Sequence, residues 1–259
     1  MSIITNRLRA VRERGEKGLI TYMTGGDPDM YSCRKIMLDM AQAGADIIEV
    51  GLPFSDPVAD GPVIQAASQR ALSAGAAVGP ILQMISSVSQ NTDVPVVIMT
   101  YFNPIMQFGL EEFCRQAGTS GVNGIIVPDL PLEESSILRD LADKYHLDLI
   151  PMVAPTTTEE RLQAICTYAR GFVYCVSVAG VTGVREQIKT DLDALTSKIR
   201  RYTDLPIAIG FGISGPDSAR EAASHCDAII VGSALVELIG QQKYQEMAAL
   251  VSTIKSALR

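Results

Sequence analysis

Apolar residues gather in short runs rich in Ile and Val, and the stretches between them carry apolar positions at helical spacing. The runs predict strands at Leu19–Met23, Asp46–Val50, Val96–Thr100, Gly124–Val127, Leu147–Met152, Phe172–Ser177, Ile207–Ile209 and Ala228–Val231. Most lack polar alternation, which is the pattern of strands covered on both faces, as in a parallel sheet. Helices are predicted between them at Ser32–Ala43, Glu111–Ala117, Glu133–Tyr145, Glu159–Ala169, Asp191–Tyr202 and Pro216–Ala223. Thr158-Glu159-Glu160 and Ser214-Gly215-Pro216-Asp217 put caps and acids at first turns. Further helices are expected at Ile3–Arg14, closing the bottom of the fold, at Val63–Ser73, and at Gln242–Ala257.

Strands alternating with helices in this way argue for a (β/α)8 TIM barrel with extra N-terminal and loop helices, residues 1–259 forming a single domain. The competing architecture is an open doubly wound sheet. Thr24-Gly25-Gly26-Asp27-Pro28, after the first strand, is too short for the dinucleotide fingerprint G-x-G-x-x-G. Glycines, acids and prolines also follow nearly every strand, whereas an open sheet gathers its special residues at one switch point. Barrel active sites stand at the C-terminal ends of the strands, so those ends are where chemistry is expected.

Composition narrows the function. A chain of 259 residues that is 47% hydrophobic can bury a full core. Its net charge of −7 argues against nucleic acid or an anionic membrane as partner. No apolar run approaches the roughly 20 residues of a membrane span. Met1–Lys17 is charged and has no apolar core, so no secretory leader is expected. Five cysteines without C-x-x-C spacing read as reduced thiols of a cytoplasmic protein.

The candidate chemistry begins at Glu49. The apolar pair Ile47-Ile48 delivers it to a strand end, and a Pro-stiffened loop carries Asp56 and Asp60 behind it. Desolvation at a barrel mouth raises a carboxyl pKa toward the working range of a general acid or base. Two carboxylates held apart by a rigid loop can run opposite proton transfers in one cycle. Three late glycine turns, Gly180–Gly183, Gly210–Ser214 and Gly232-Ser233, allow close backbone approach to an anion, with Ser233 at a helix first turn. Phe211 reads either as a pocket wall or as local packing, and Tyr174 as either a core or a site residue. Asp27 and Asp129 are equally suited to capping a turn and to touching substrate. His225-Cys226 has no further ligands at matching spacing, so no metal is expected.

The stretch Glu49-Val50-Gly51-Leu52-Pro53-Phe54-Ser55-Asp56-Pro57-Val58-Ala59-Asp60-Gly61-Pro62 closely resembles the signature of the tryptophan synthase α subunit family. The resemblance continues through Tyr101-Phe102-Asn103-Pro104, Val127-Pro128-Asp129-Leu130-Pro131, Gly180-Val181-Thr182-Gly183, Gly210-Phe211-Gly212-Ile213 and Gly232-Ser233, in order, over essentially the whole chain. It implies a TIM-barrel lyase that splits indole-3-glycerol phosphate into indole and glyceraldehyde 3-phosphate. By the same resemblance Glu49 is the main acid–base group and Asp60 serves the indole N–H. Tyr174 positions the catalytic group, and Thr182 reaches Asp60 when its loop closes. Phe211, Ile126, Met99 and Met152 line the indole slot, with Tyr22 beside it. The backbone at Gly183, Gly212, Gly232 and Ser233 holds the phosphate. The implied partner is a β subunit in an α2β2 heterotetramer, met by Pro53, Asp56, Pro57, Asn103 and Pro131. Pyridoxal phosphate belongs to that partner, and no cofactor is expected here. The chain departs from the family pattern at Tyr22, where Phe is common, and at Val178, where some members carry Arg.

Overall fold

The structure is a computed structural model that describes residues 2–176, 185–210 and 212–259. Its strands are β1 (Gly18–Thr24), β2 (Ile47–Gly51), β3 (Val96–Met99), β4 (Val122–Ile126), β5 (Asp148–Leu149), β6 (Met152–Val153), β7 (Val173–Val176), β8 (Ile207–Gly210) and β9 (Ala228–Val231). All the pairings are parallel, in the order β5-β4-β3-β2-β1-β9-β8-β7-β6.

The two ends of that order are halves of one predicted strand. The Ile150 N–H donates to Ile125 O at 2.9 Å, on the β4 side, and Pro151 O accepts from the Tyr174 N–H at 3.0 Å, on the β7 side. The chain therefore closes a (β/α)8 barrel by passing from one neighbour to the other. Pro151, which has no N–H to give, stands at the crossing, so the expected continuous strand Leu147–Met152 is split there.

Side chains alternate across the barrel wall. Ile20, Ile47, Val97, Ile126, Tyr174, Ala208, Ala228 and Ile230 form an interior cluster, while Leu19, Ile48, Ile98, Ile125, Cys175, Ile209 and Ile229 face the helix layer. Both faces are apolar, which explains runs without polar alternation. Helix α1 (Ile3–Glu13) closes the bottom as expected: Ile4 and Leu8 join the interior cluster.

Polar side chains also fix the strand starts. Asp46 accepts from the Leu19 N–H and from Lys255 Nζ, each at 2.8 Å. Asn123 accepts from the Val96 N–H at 3.0 Å, and Asp227 from the Ile207 N–H at 2.8 Å.

The remaining helices are α2 (Met30–Gln42), α3 (Pro62–Ser73), α4 (Val78–Ser89), α5 (Phe102–Phe108), α6 (Leu110–Thr119), α7 (Ser136–Lys144), α8 (Glu159–Tyr168), α9 (Arg185–Arg200), α10 (Pro216–Ala223), α11 (Ser233–Gly240) and α12 (Tyr244–Ala257). Helices α4 and α5 were not expected from the pattern. Helix α4 opens on Val-Gly-Pro and is rich in serine, and α5 carries Asn-Pro in its first turn, so neither declares itself by helix propensity. Among the described residues no single helix is long and apolar enough to cross a membrane.

Candidate active site

At the C-terminal ends of the strands lies a cleft of about 820 Å³. Glu49 on β2 reaches it from the interior face, directly opposite Tyr22 of β1 in register. Glu49 is 1% exposed, and neither carboxyl oxygen has a hydrogen-bond partner among the described residues. Removing a carboxylate from water without compensation favours its neutral form. Burial, helped by the charge of Asp60, pushes the Glu49 carboxyl up to about 8. At neutral pH the group is therefore protonated and able to donate.

Asp60 lines the same cleft from the long loop after β2. Burial raises its pKa, and the Tyr101 hydroxyl opposes that rise by donating to it. The Tyr101 oxygen also accepts from the Ala59 N–H at 2.9 Å, and Gln65 Nε2 donates to Asp60 O at 2.8 Å. The loop thus reaches the cleft on a tyrosine from the end of β3 and a glutamine from α3. Phe54 packs against the Tyr101 ring, with centroids 5.4 Å apart. In the sequence Tyr101 stands out only within the family-like string Tyr101-Phe102-Asn103-Pro104; its role depends on where the loop folds back.

Two tyrosines flank Glu49. A Cβ at Gly51 would lie 2.1 Å from the Tyr22 hydroxyl, and one at Gly210 would lie 2.7 Å from the Tyr174 hydroxyl. Each strand-end glycine therefore makes room for a tyrosine tip. Burial raises both phenols above their ordinary value, so both stay protonated and can donate.

Met99 and Met152 line the cleft with Tyr22 and Tyr174. Ile126 does not reach its surface. It is fully buried in the interior cluster, against which Met99 and Met152 pack. Gly212, Gly232 and Ser233 line the same cleft, together with Ser214 and Ala234. Gly212 has a φ of +37°, and Gly232 is the N-cap of α11, so Ser233 stands at the first turn as expected. The N–H groups of a helix first turn have no intrahelical acceptor and favour an anion. Thr182, Gly183, Val178 and Phe211 lie outside the described residues.

Pro53, Asp56, Pro57 and Pro131, on loops after the strands, and Asn103, in the first turn of α5, are all exposed or half-exposed. Asp56 accepts from its neighbour Ser55, and Val58 beside it is 87% exposed. Asp129 proves to be a cap: it accepts from the Phe102 N–H at 2.9 Å at the start of α5. Asp27 is held by Arg70 of α3. His225 pairs with Asp193, and no group of three metal-ligating side chains occurs among the described residues.

A parallel barrel with a buried, proton-bearing carboxyl facing a second carboxylate at its mouth belongs to the barrel enzymes that work by acid–base chemistry. Comparison with known proteins narrows the class. The family model for the tryptophan synthase alpha chain matches residues 8–258, and the chain belongs to that family. It is 50% identical over 239 residues to the tryptophan synthase alpha chain of Carboxydothermus hydrogenoformans, covering 92% of this chain and 90% of that one. It is 44% identical over 263 residues to that of a Thermoanaerobacter species, covering all of both chains. Among solved structures it resembles the tryptophan synthase alpha chain of Legionella pneumophila, with a TM-score of 0.90 at 34% identity over 100% of this chain and 97% of that one. It also resembles a chain of Mycobacterium tuberculosis tryptophan synthase, with a TM-score of 0.93 at 34% identity over 100% and 98% of the two chains.

Proposed function

We propose that this chain cleaves indole-3-glycerol phosphate by a retro-aldol reaction, releasing indole and glyceraldehyde 3-phosphate, as the α subunit of a tryptophan synthase. The observation that carries the reading is the Glu49 carboxyl, buried, without a hydrogen-bond partner among the described residues and protonated at neutral pH, in one cleft with Asp60.

The carbon–carbon bond to the indole ring breaks only after ring carbon C3 has been protonated, because the ring must become an electron acceptor. Glu49 gives that proton, and Asp60 stabilises the positive charge that develops at the ring N–H. The Glu49 carboxylate then takes the proton of the glycerol hydroxyl adjacent to the bond. The carbonyl forms, the bond electrons return to the ring, and indole leaves. Glu49 ends protonated, as it began. Tyr174 orients Glu49 from beside it, and Tyr22, Met99 and Met152 hold the ring, with Ile126 backing them. Phe211, Thr182 and Gly183 complete the slot, the lid and the phosphate cradle. The turns at Gly212 and Gly232-Ser233 hold the phosphate, whose binding supplies orientation at the reacting carbon.

The face bearing Pro53, Asp56, Pro57, Asn103 and Pro131 meets a β subunit in an α2β2 heterotetramer in the cytoplasm. Pyridoxal phosphate serves the β subunit, and this chain uses neither cofactor nor metal. Glu49→Gln tests the reading. Loss of an acid–base group lowers kcat by about 10²–10⁴-fold. Unchanged indole release by this variant would refute the mechanism, and no detectable binding of indole-propanol phosphate to the wild type would refute the substrate.

A further inference from the structure

Helices α3 and α11 lie side by side and run in the same direction. Their N-terminal residues, Gly61 and Ile64 of one and Ser233 and Ala234 of the other, both line the cleft. Between them Tyr22, Ile64, Ala67 and Val236 form a small core of their own, distinct from the two main clusters. At their far ends the helices meet at a single side chain. Arg70, in the last turn of α3, donates from Nε to Asp27 Oδ1 at 2.8 Å and from Nη2 to Asp27 Oδ2 at 2.7 Å. The same guanidinium lies against the last residue of α11, where a Cβ on Gly240 would be 2.9 Å from Nη2. Asp27, on the loop after β1, is 1% exposed.

This arrangement has an electrostatic and a mechanical side. Two parallel helices place like dipole ends together: positive ends at the cleft and negative ends at Arg70. A cation at the shared negative end offsets their repulsion. Its bidentate bond to a buried carboxylate fixes its position in the plane of the fork. Helix α3 begins just beyond Asp60, and α11 begins at the Gly232-Ser233 turn. Whatever holds the two helices together therefore sets the spacing between the second carboxylate and the anion turn.

We propose that Arg70 is a positioning residue. By clamping the C-terminal ends of α3 and α11 to Asp27, it holds Asp60 and the Gly232-Ser233 turn at the separation that a substrate spanning ring nitrogen and phosphate requires. The proposal rests on the function proposed above. It acts at a distance of roughly 15 Å along α3, taking about 1.5 Å per residue from Asp60. Misplacing reacting groups by about 1 Å can cost about 10²-fold in rate.

The test separates spacing from the integrity of each half of the site. Arg70→Met and the charge-keeping Arg70→Lys are compared with wild type in the complete chain, together with the paired neutral variant Asp27→Asn/Arg70→Gln, which leaves no buried charge alone and guards against a failure to fold. Three quantities are measured: kcat and KM for indole-3-glycerol phosphate, the dissociation constant of indole-propanol phosphate, and inhibition by inorganic phosphate, which touches only one end. We expect Arg70→Met and the paired variant to weaken indole-propanol phosphate and kcat/KM by about tenfold or more. Inorganic phosphate should hold within about twofold, and Arg70→Lys should recover part of the loss. Equal weakening of phosphate and of the full-length mimic would mean that Arg70 merely supports the anion turn, and the proposal fails. Unchanged kcat/KM in a folded variant overturns it as well. A wild type that neither cleaves nor binds overturns the underlying function instead, and that failure is visible before any variant is made.

Discussion

Replacing Glu49 by Gln should change how stability depends on pH, independently of any effect on turnover. In the folded chain the carboxyl titrates near 8, against 4.5 for the ordinary group, because burial penalises its charged form. Below about pH 4 the folded and unfolded chains both hold the proton, and the group makes no difference. Between about 4.5 and 8 the unfolded chain has lost a proton that the folded chain keeps, so stability falls as pH rises. Above about 8 the cost levels off, at about 5 kcal/mol for a shift of this size at 1.36 kcal/mol per pH unit. From pH 6 to pH 8 the wild type should lose about 2 kcal/mol through this group alone. Gln has a similar shape and does not titrate, so the variant escapes that loss. Urea unfolding of both proteins at several pH values between 5 and 9 measures it. The difference in stability, variant minus wild type, should grow by about 2 kcal/mol from pH 6 to pH 8. Taking the difference cancels the other raised carboxyls, such as Asp148, which both proteins retain. Parallel pH profiles would mean that the buried carboxyl is not held neutral, and the acid assigned to the mechanism would be lost with it.

Two other substitutions probe the supports of the site. Gly210→Ala puts a methyl 2.7 Å from the Tyr174 hydroxyl, so activity should fall, and Tyr174→Phe in the same chain should restore part of kcat by removing the clashing oxygen. A double variant no better than Gly210→Ala alone would show that the clash is not with that hydroxyl. Tyr101→Phe removes the acceptor of the Ala59 N–H and a donor to Asp60. It should loosen the loop by about 1 kcal/mol, raise KM several-fold, and move the Asp60 limb of the pH–rate profile upward. An unmoved limb would refute that contact.

The apolar runs made most of the fold legible. Ile47-Ile48 before Glu49 marks a strand covered on both faces, as the structure has it, although β2 runs two residues past the acid to Gly51. Period-2 alternation also assigns Ile126, Met99 and Glu49 to the barrel interior. It does not say how far up the wall each stands, because depth depends on strand stagger around the closed ring. Ile126 accordingly lies in the buried cluster although its neighbours reach the cleft. The support Tyr101 gives the loop is not legible, because its partner is a backbone N–H on a loop whose path is irregular. Helix α4 was missed because its apolar face comes from a Ser-rich segment that gains stability by packing under α2, not by propensity. Nothing along the chain marks Arg70; only the burial of Asp27 reveals what it holds.

The crossing at Ile150-Pro151 divides the ring into two arcs. One runs from β1 to β5 and carries Glu49, Asp60 and Met99; the other runs from β6 to β9 and carries Tyr174, Gly210 and Gly232. The proton-handling groups and the anion turns thus belong to different halves of a jaw. The halves are knit by a four-residue register between β1 and β9 on one side, and on the other by the chain itself at Pro151 between two-residue pairings, β4 with β5 and β6 with β7. The thinner join makes strain in the ring fall first at that seam, so a force applied there alters the gape between acid and anion before it disturbs either half.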